Sequence, residues 1–259
     1  MILRFVLGAI LCVVAAALTG QERPETLATW DMARGWEAVG RLDVAGKGFC
    51  TASLVAPSLV VTAAHCLFDR DTGEPVSPDR VQFLAGLRNG RAAAYRDVRA
   101  FVLHPAYRYE ARTEVPVMAA DLALIELDRP IRNTTIDPYP VTGRLGMSGE
   151  VGIVSYAAGR EEAASLEEVC HVLGVDQGLL IFDCEIDFGA SGAPVFWMSD
   201  AGPRLLSVIS AKADLDGQPV AIGAAVDGTL ELLSAELSAV SGARQGGAAR
   251  PGGAKFIRP

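Results

Sequence analysis

The sequence predicts an all-β protein built in two halves, and three observations carry that prediction. Ten short segments are rich in β-branched and apolar residues: AVGRLDV, SLVVTAA, RVQFLAG, YRDVRAFVLH, LALIELD, EVGIVSYA, GLLIFDCEI, APVFWM, LLSVISA and PVAIGAAV. Clusters of Gly, Pro, Asp and Asn separate them, the rhythm of a β-sandwich or barrel. The stretch RPIRNTTIDPYPVTGRLGMSGE, residues 129–150, holds three prolines and three glycines with little periodicity, and it divides the chain into two β-rich halves of comparable size.

At the N-terminus, Met1 to Gly20 places one cation, Arg4, ahead of the apolar run FVLGAILCVVAAAL and then small residues. This is the layout of a secretory signal peptide. The run is short for a membrane span and ends in QERPE, so no stable membrane anchor is expected. Removing the leader takes away one cation and no acid, which makes the net charge of −8 one unit more negative. So acidic a surface argues against nucleic acid as a partner. Half the residues are hydrophobic, enough for a substantial core.

Residues 21–135 are expected to form the first β-barrel and residues 136–240 the second barrel with a helix. Asp227 can cap that helix, whose apolar positions Leu230, Leu233, Leu237 and Val240 recur at helical spacing. Residues 241–259, rich in Gly and Ala with four cations and no acid, read as a flexible tail. Asn133 opens an N-x-T sequon, which matters only in a glycosylating host.

Beyond the leader, which contains Cys12, four cysteines remain: Cys50, Cys66, Cys170 and Cys184. An even count in an exported chain suggests two disulfides. Of the three possible pairings the local one is expected, Cys50 with Cys66 and Cys170 with Cys184. The alternative is a zinc site, but neither pair is a C-x-x-C and the chain has only three histidines.

Three residues stand in contexts that suit acyl transfer. A serine hydroxyl is a poor nucleophile near neutral pH, and needs a histidine to take its proton and a carboxylate to orient that histidine. Ser191 sits in GASGAP, where Gly189 and Gly192 allow a sharp turn and the N–H groups of Gly189 and Ser191 can converge on an oxyanion. His65 ends the apolar segment SLVVTAAHC, beside Cys66. Asp121 precedes the core strand in AADLALIELD, where a carboxylate is costly unless it accepts hydrogen bonds. Each has a bland reading taken alone: a loop serine, a solvated strand-end histidine, a turn aspartate.

Together, TAAHC, then DLALIEL, then GxSGxP, with HPAY at residues 104–107 and a cysteine ahead of the TAAHC strand, resemble the trypsin-like (chymotrypsin-fold) serine peptidases. The resemblance runs from about Trp36 to Val240 and favours the family's bacterial branch. It implies two antiparallel β-barrels with the site in the cleft between them. It also implies His65 as general base and acid, Asp121 as its orienting group, Ser191 as nucleophile, the N–H groups of Gly189 and Ser191 as oxyanion hole, and a disulfide of Cys50 with Cys66 beside the histidine. A protein or peptide substrate is implied, with no metal or organic cofactor. His104 and His171 then become surface or structural residues.

The match departs at two places. Ala190 precedes the nucleophile where digestive-type relatives carry an aspartate that pairs with a new N-terminus, and no activation sequence of the IVGG kind precedes WEAVGRL. The resting shape of the turn at Ser191 is therefore open, and an inactive peptidase-like module that binds peptides or a partner is the alternative. For specificity, Glu185, six residues before Ser191, is expected to line the primary pocket and favour basic side chains. The strand LLSVISA is expected to form one wall, with Ser210 offering backbone contacts to substrate and Lys212 narrowing or charging the pocket.

Overall fold

The computed structural model describes residues 24–46, 48–143 and 150–248, so the expected leader and most of the expected tail lie outside the described residues. A two-residue strand β1 (Glu25–Thr26) and a single turn α1 (Trp30–Ala33) open the chain. Six antiparallel strands then close the first barrel: β2 (Val39–Val44), β3 (Gly48–Ala56), β4 (Leu59–Thr62), β5 (Val81–Ala85), β6 (Ala94–Leu103) and β7 (Ala123–Leu127), in the order β2-β3-β4-β7-β6-β5. A short helix α2 (Val115–Ala119) leads into β7.

The second barrel comprises β8 (Glu150–Ala157), β9 (Arg160–Asp176), β10 (Leu179–Phe182), β11 (Pro194–Trp197), β12 (Arg204–Leu215) and β13 (Gln218–Ala225). It runs β9-β10-β13-β12-β11-β8 and closes through the β8–β9 pairing. This is the chymotrypsin-like fold. Helix α3 (Thr229–Ala248) ends the described chain.

Burial explains why these segments settle as strands of closed barrels. Leu124 and Ile125, adjacent in β7, are both at most 1% exposed. Consecutive strand residues face opposite sides of a sheet, so both faces of β7 must be covered. One face looks into the barrel. The other lies under α3, which packs on β6 and β7 and buries Leu233 and Leu237. The helix thus leaves the second barrel and crosses back to clamp the first.

Two expected boundaries are corrected. Glu25 and Thr26 fall within the expected first barrel, yet they pair with Leu166 and Ser165 of β9, in the second barrel's sheet. Leu27 N–H donates to Ala164 O at 2.8 Å and its side chain is buried, and this burial outweighs nearness in sequence. At the other end, residues 241–248, expected in the flexible tail, continue α3.

The proline-rich connection is anchored to both barrels. Tyr139 N–H donates to Leu54 O at 2.9 Å, and Leu205 N–H donates to Pro140 O at 2.8 Å. Tyr139 also packs its ring 4.5 Å from that of Phe196 in β11, and Trp36 packs against both. Anchors of this kind hold the two barrels in one relative orientation, which a site made from both requires.

Candidate active site

His65 lies on the 3₁₀ turn Ala64–Leu67, immediately after β4. Ala63 and Ala64 are fully buried and small because another segment passes close by: a Cβ on Gly192 would lie 3.2 Å from Ala63 N. The Cys50–Cys66 disulfide ties this turn to β3. Asp121, between α2 and β7, is 2% exposed. It offsets the cost of burial by accepting three hydrogen bonds. Its Oδ1 accepts His65 N–H at 2.9 Å, and its Oδ2 accepts the ring Nδ1–H at 2.7 Å and the Ser210 hydroxyl at 2.5 Å. With Nδ1 donating to a carboxylate, His65 Nε2 is left as an acceptor.

Ser191 is placed by its neighbours. Ser191 O accepts Thr51 N–H at 2.8 Å, one residue from the disulfide at Cys50, and Gly192 N–H donates to Ile209 O at 2.7 Å, one residue from Ser210. Gly192 is required at this crossing. Its φ is +79°, and a Cβ there would lie 2.2 Å from both Thr51 O and Thr62 Oγ1. The His65 side and the Ser191 side of the site are therefore joined by backbone contact. Among the described residues the Ser191 side chain makes no hydrogen bond. His65 Nε2 lies 3.9 Å from Cys66 Sγ.

The turn before Ser191 has a defined shape. Ala190 N–H donates to Asp187 O at 3.0 Å, and Gly189 has φ +95°, the geometry of a type II turn with glycine at its third position. The Phe188 carbonyl accepts Ala158 N–H at 2.7 Å. In a trans peptide C=O and N–H point opposite ways, so Gly189 N–H points away from Ala158. Among the described residues, neither Gly189 N–H nor Ser191 N–H has an acceptor. Ala190 itself is fully buried.

Glu185 lines a cavity of about 460 Å³ together with Asp187, Arg160 and Lys212. Two cations thus share the lining with the two acids. Lys212 Nζ lies 4.0 Å from Asp187 Oδ1. Strand β10 stops at Phe182, so Cys184 and Glu185 lie beyond the strand rather than in it. The Cys170–Cys184 disulfide staples this wall to β9. Both cysteine pairs are thus disulfides, and their sulfurs are not free thiols for a zinc site.

Behind the wall sits Glu167, a residue the sequence reading passed over in a glutamate-rich run. It is 2% exposed, its Oε2 accepts Glu185 N–H at 2.8 Å, and its Oε1 is buried without a partner among the described residues. Burial pushes its carboxyl up from 4.5 to about 7. The folded chain therefore holds a proton that the unfolded chain releases, so this group's stabilising contribution is full below pH 4.5 and lost as the pH rises through about 7. Glu167→Gln keeps the acceptor for Glu185 N–H and removes the charge. Thermal melts are expected to show the variant about 3 °C or more above the parent at pH 8, with almost no difference at pH 4.

The other two histidines stand outside this arrangement. His104 Nδ1 accepts Ala106 N–H at 3.1 Å and its pKa is lowered by burial, while the exposed His171 pairs with Asp183 at 3.0 Å. Ser210 enters differently from expectation. Its hydroxyl, rather than only its backbone, takes part, through the bond to Asp121.

With this geometry in place, the chain belongs to the trypsin family, whose profile matches residues 31–227. It is 40% identical over 100 residues to a modular serine protease of Drosophila melanogaster, covering 36% of this chain and 15% of that protein. It is 23% identical over 206 residues to an uncharacterized peptidase of Corynebacterium glutamicum, covering 75% of this chain and 62% of that one. The chain thus spans less than two thirds of either relative. Among solved structures, a Glu endopeptidase in complex with MPD superposes with a TM-score of 0.67 at 16% identity, over 85% of this chain and 98% of that one, a likeness of fold.

Proposed function

We propose that this protein is an exported serine endopeptidase that hydrolyses peptide bonds through an acyl-enzyme. In this reading His65 Nε2 takes the Ser191 proton as Oγ attacks the scissile carbonyl. The carbonyl oxygen becomes an oxyanion held by Gly189 and Ser191 N–H. The imidazolium, oriented by Asp121, then gives its proton to the leaving amine, and water repeats the sequence on the acyl-enzyme to release the acid. The substrate is a protein or peptide, and the side chain before the scissile bond enters the cavity at Glu185.

The observation that carries this reading is the meeting of two half-sites. A buried carboxylate orients His65, and backbone contacts tie its strand to the turn bearing Ser191, whose Gly189 and Ser191 N–H groups have no acceptor among the described residues. Export is supported by the pattern of the first twenty residues and by two disulfides, which persist in oxidising compartments. Among the described residues no helix is long and apolar enough to cross a membrane.

A fluorophosphonate probe tests the reading. It is expected to label the purified protein at one site, mapped by mass spectrometry to Ser191, in competition with cleavable peptides. Folded protein that binds peptide yet stays unlabelled would overturn the reading and make the chain a peptidase-like binding module.

A further inference from the structure

We infer that Thr51 is the latch that holds the oxyanion turn in its working shape, in place of the acidic residue that Ala190 replaces. The inference rests on the proposed acyl-transfer reading and deepens it. A type II turn can convert to a neighbouring turn type by flipping its central peptide, here Phe188–Gly189. The flip would swing Gly189 N–H out of the site and place a carbonyl oxygen where an oxyanion must bind. Ala158 N–H, donating to Phe188 O at 2.7 Å, opposes the flip at that peptide itself; the following peptide needs its own hold, and a methyl group at position 190 forms no hydrogen bond.

Thr51 is fully buried, and its backbone and side chain grip the turn at two points. Its N–H donates to Ser191 O at 2.8 Å, and its hydroxyl donates to Gly189 O at 2.9 Å. These are the carbonyls on either side of Ala190. The same hydroxyl oxygen accepts Tyr156 N–H at 3.0 Å; Tyr156 O, the other acceptor in reach, is farther away at 3.3 Å, so the shorter bond directs the proton to Gly189 O. Thr51 O accepts the Thr62 hydroxyl at 2.9 Å. All the polar atoms of Thr51 are thus engaged, two of them on the turn. The grip comes from the first barrel and the turn from the second, so the latch also couples oxyanion geometry to the seating of one barrel on the other.

Thr51 is a positioning residue, so the test must separate turn geometry from general stability. Thr51→Val keeps shape and removes the hydroxyl, while Thr51→Ser keeps the hydroxyl. T51V is expected to lower kcat about 100-fold, the scale of losing one oxyanion donor, with KM changed less than about threefold. Its affinity for a peptide aldehyde, whose adduct carries an oxyanion, should fall by a similar factor, while product-peptide affinity holds. T51S is expected to stay within about threefold of the parent. Thr51→Ala serves as a second hydroxyl-free variant should T51V not fold. A hydroxyl-free variant that folds and keeps kcat, or a loss that T51S shares, would overturn the inference. Failure of fluorophosphonate labelling in the parent protein would instead overturn the proposed function.

Discussion

Replacing Ser191 by alanine is expected to lower kcat for peptide hydrolysis about 10⁶-fold and to abolish fluorophosphonate labelling, with the fold intact. Alanine suits the position, since Ala190 and Ala193 flank it in full burial and the Ser191 contacts that seat the turn use its backbone oxygen. Only the hydroxyl is removed. Residual turnover above the uncatalysed rate should remain, because the N–H groups of Gly189 and residue 191 still bind a developing oxyanion. Steady-state kinetics with a cleavable peptide, alongside a thermal melt, would measure both parts. Loss of activity with loss of folding, or retained labelling, would contradict the assignment of Ser191.

Asp121→Asn is expected to lower kcat about 10⁴-fold near pH 7, with KM affected far less. The reason follows from the three bonds on the carboxylate. His65 backbone N–H can only donate, so the asparagine oxygen must stay at the Oδ1 position. The amide NH₂ then occupies the Oδ2 position, facing the ring Nδ1 and the Ser210 hydroxyl. The imidazole can adapt by moving its proton to Nε2, and the hydroxyl can rotate to accept. Both adaptations preserve packing, and the first leaves Nε2 unable to take a proton from Ser191. Kinetics of D121N should therefore show lost turnover in a stable protein, and a D121N/S191A double variant should be no slower than S191A alone. A D121N variant within tenfold of the parent would remove Asp121 from the proposed mechanism.

Much of this site was readable in the sequence because its residues sit in locally distinctive settings. The apolar run ending in two alanines before His65 marked a crowded strand end, and Gly189 and Gly192 around Ser191 marked a tight turn. The strands EVGIVSYA and LALIELD fall almost on β8 and β7. Besides the two-residue β1, two barrel strands escaped. β3 reads GFCTASLVA, where small and polar residues blur the alternation, and β9 reads REEAASLEEVCHVLGVD, whose glutamates and leucines lack a strand's signature. Pairing partners on both sides hold these segments as strands, overriding weak local preference.

The bonds that complete the site were missed for a related reason. Thr51 meets Gly189 across 138 positions and Ser210 meets Asp121 across 89, so no local pattern could reveal either bond. Composition and spacing were enough to define an all-β chain with two expected disulfides, and the resemblance of three motifs to the trypsin-like peptidases joined a candidate nucleophile to its partners. The shape of the turn at Ala190, the buried Glu167 behind the pocket wall and the return of α3 to the first barrel all depend on which surfaces meet once the barrels close. Periodicity and turn chemistry act over a few residues and are written into the chain. Register and burial act between segments far apart, and they take effect only when those segments are packed together.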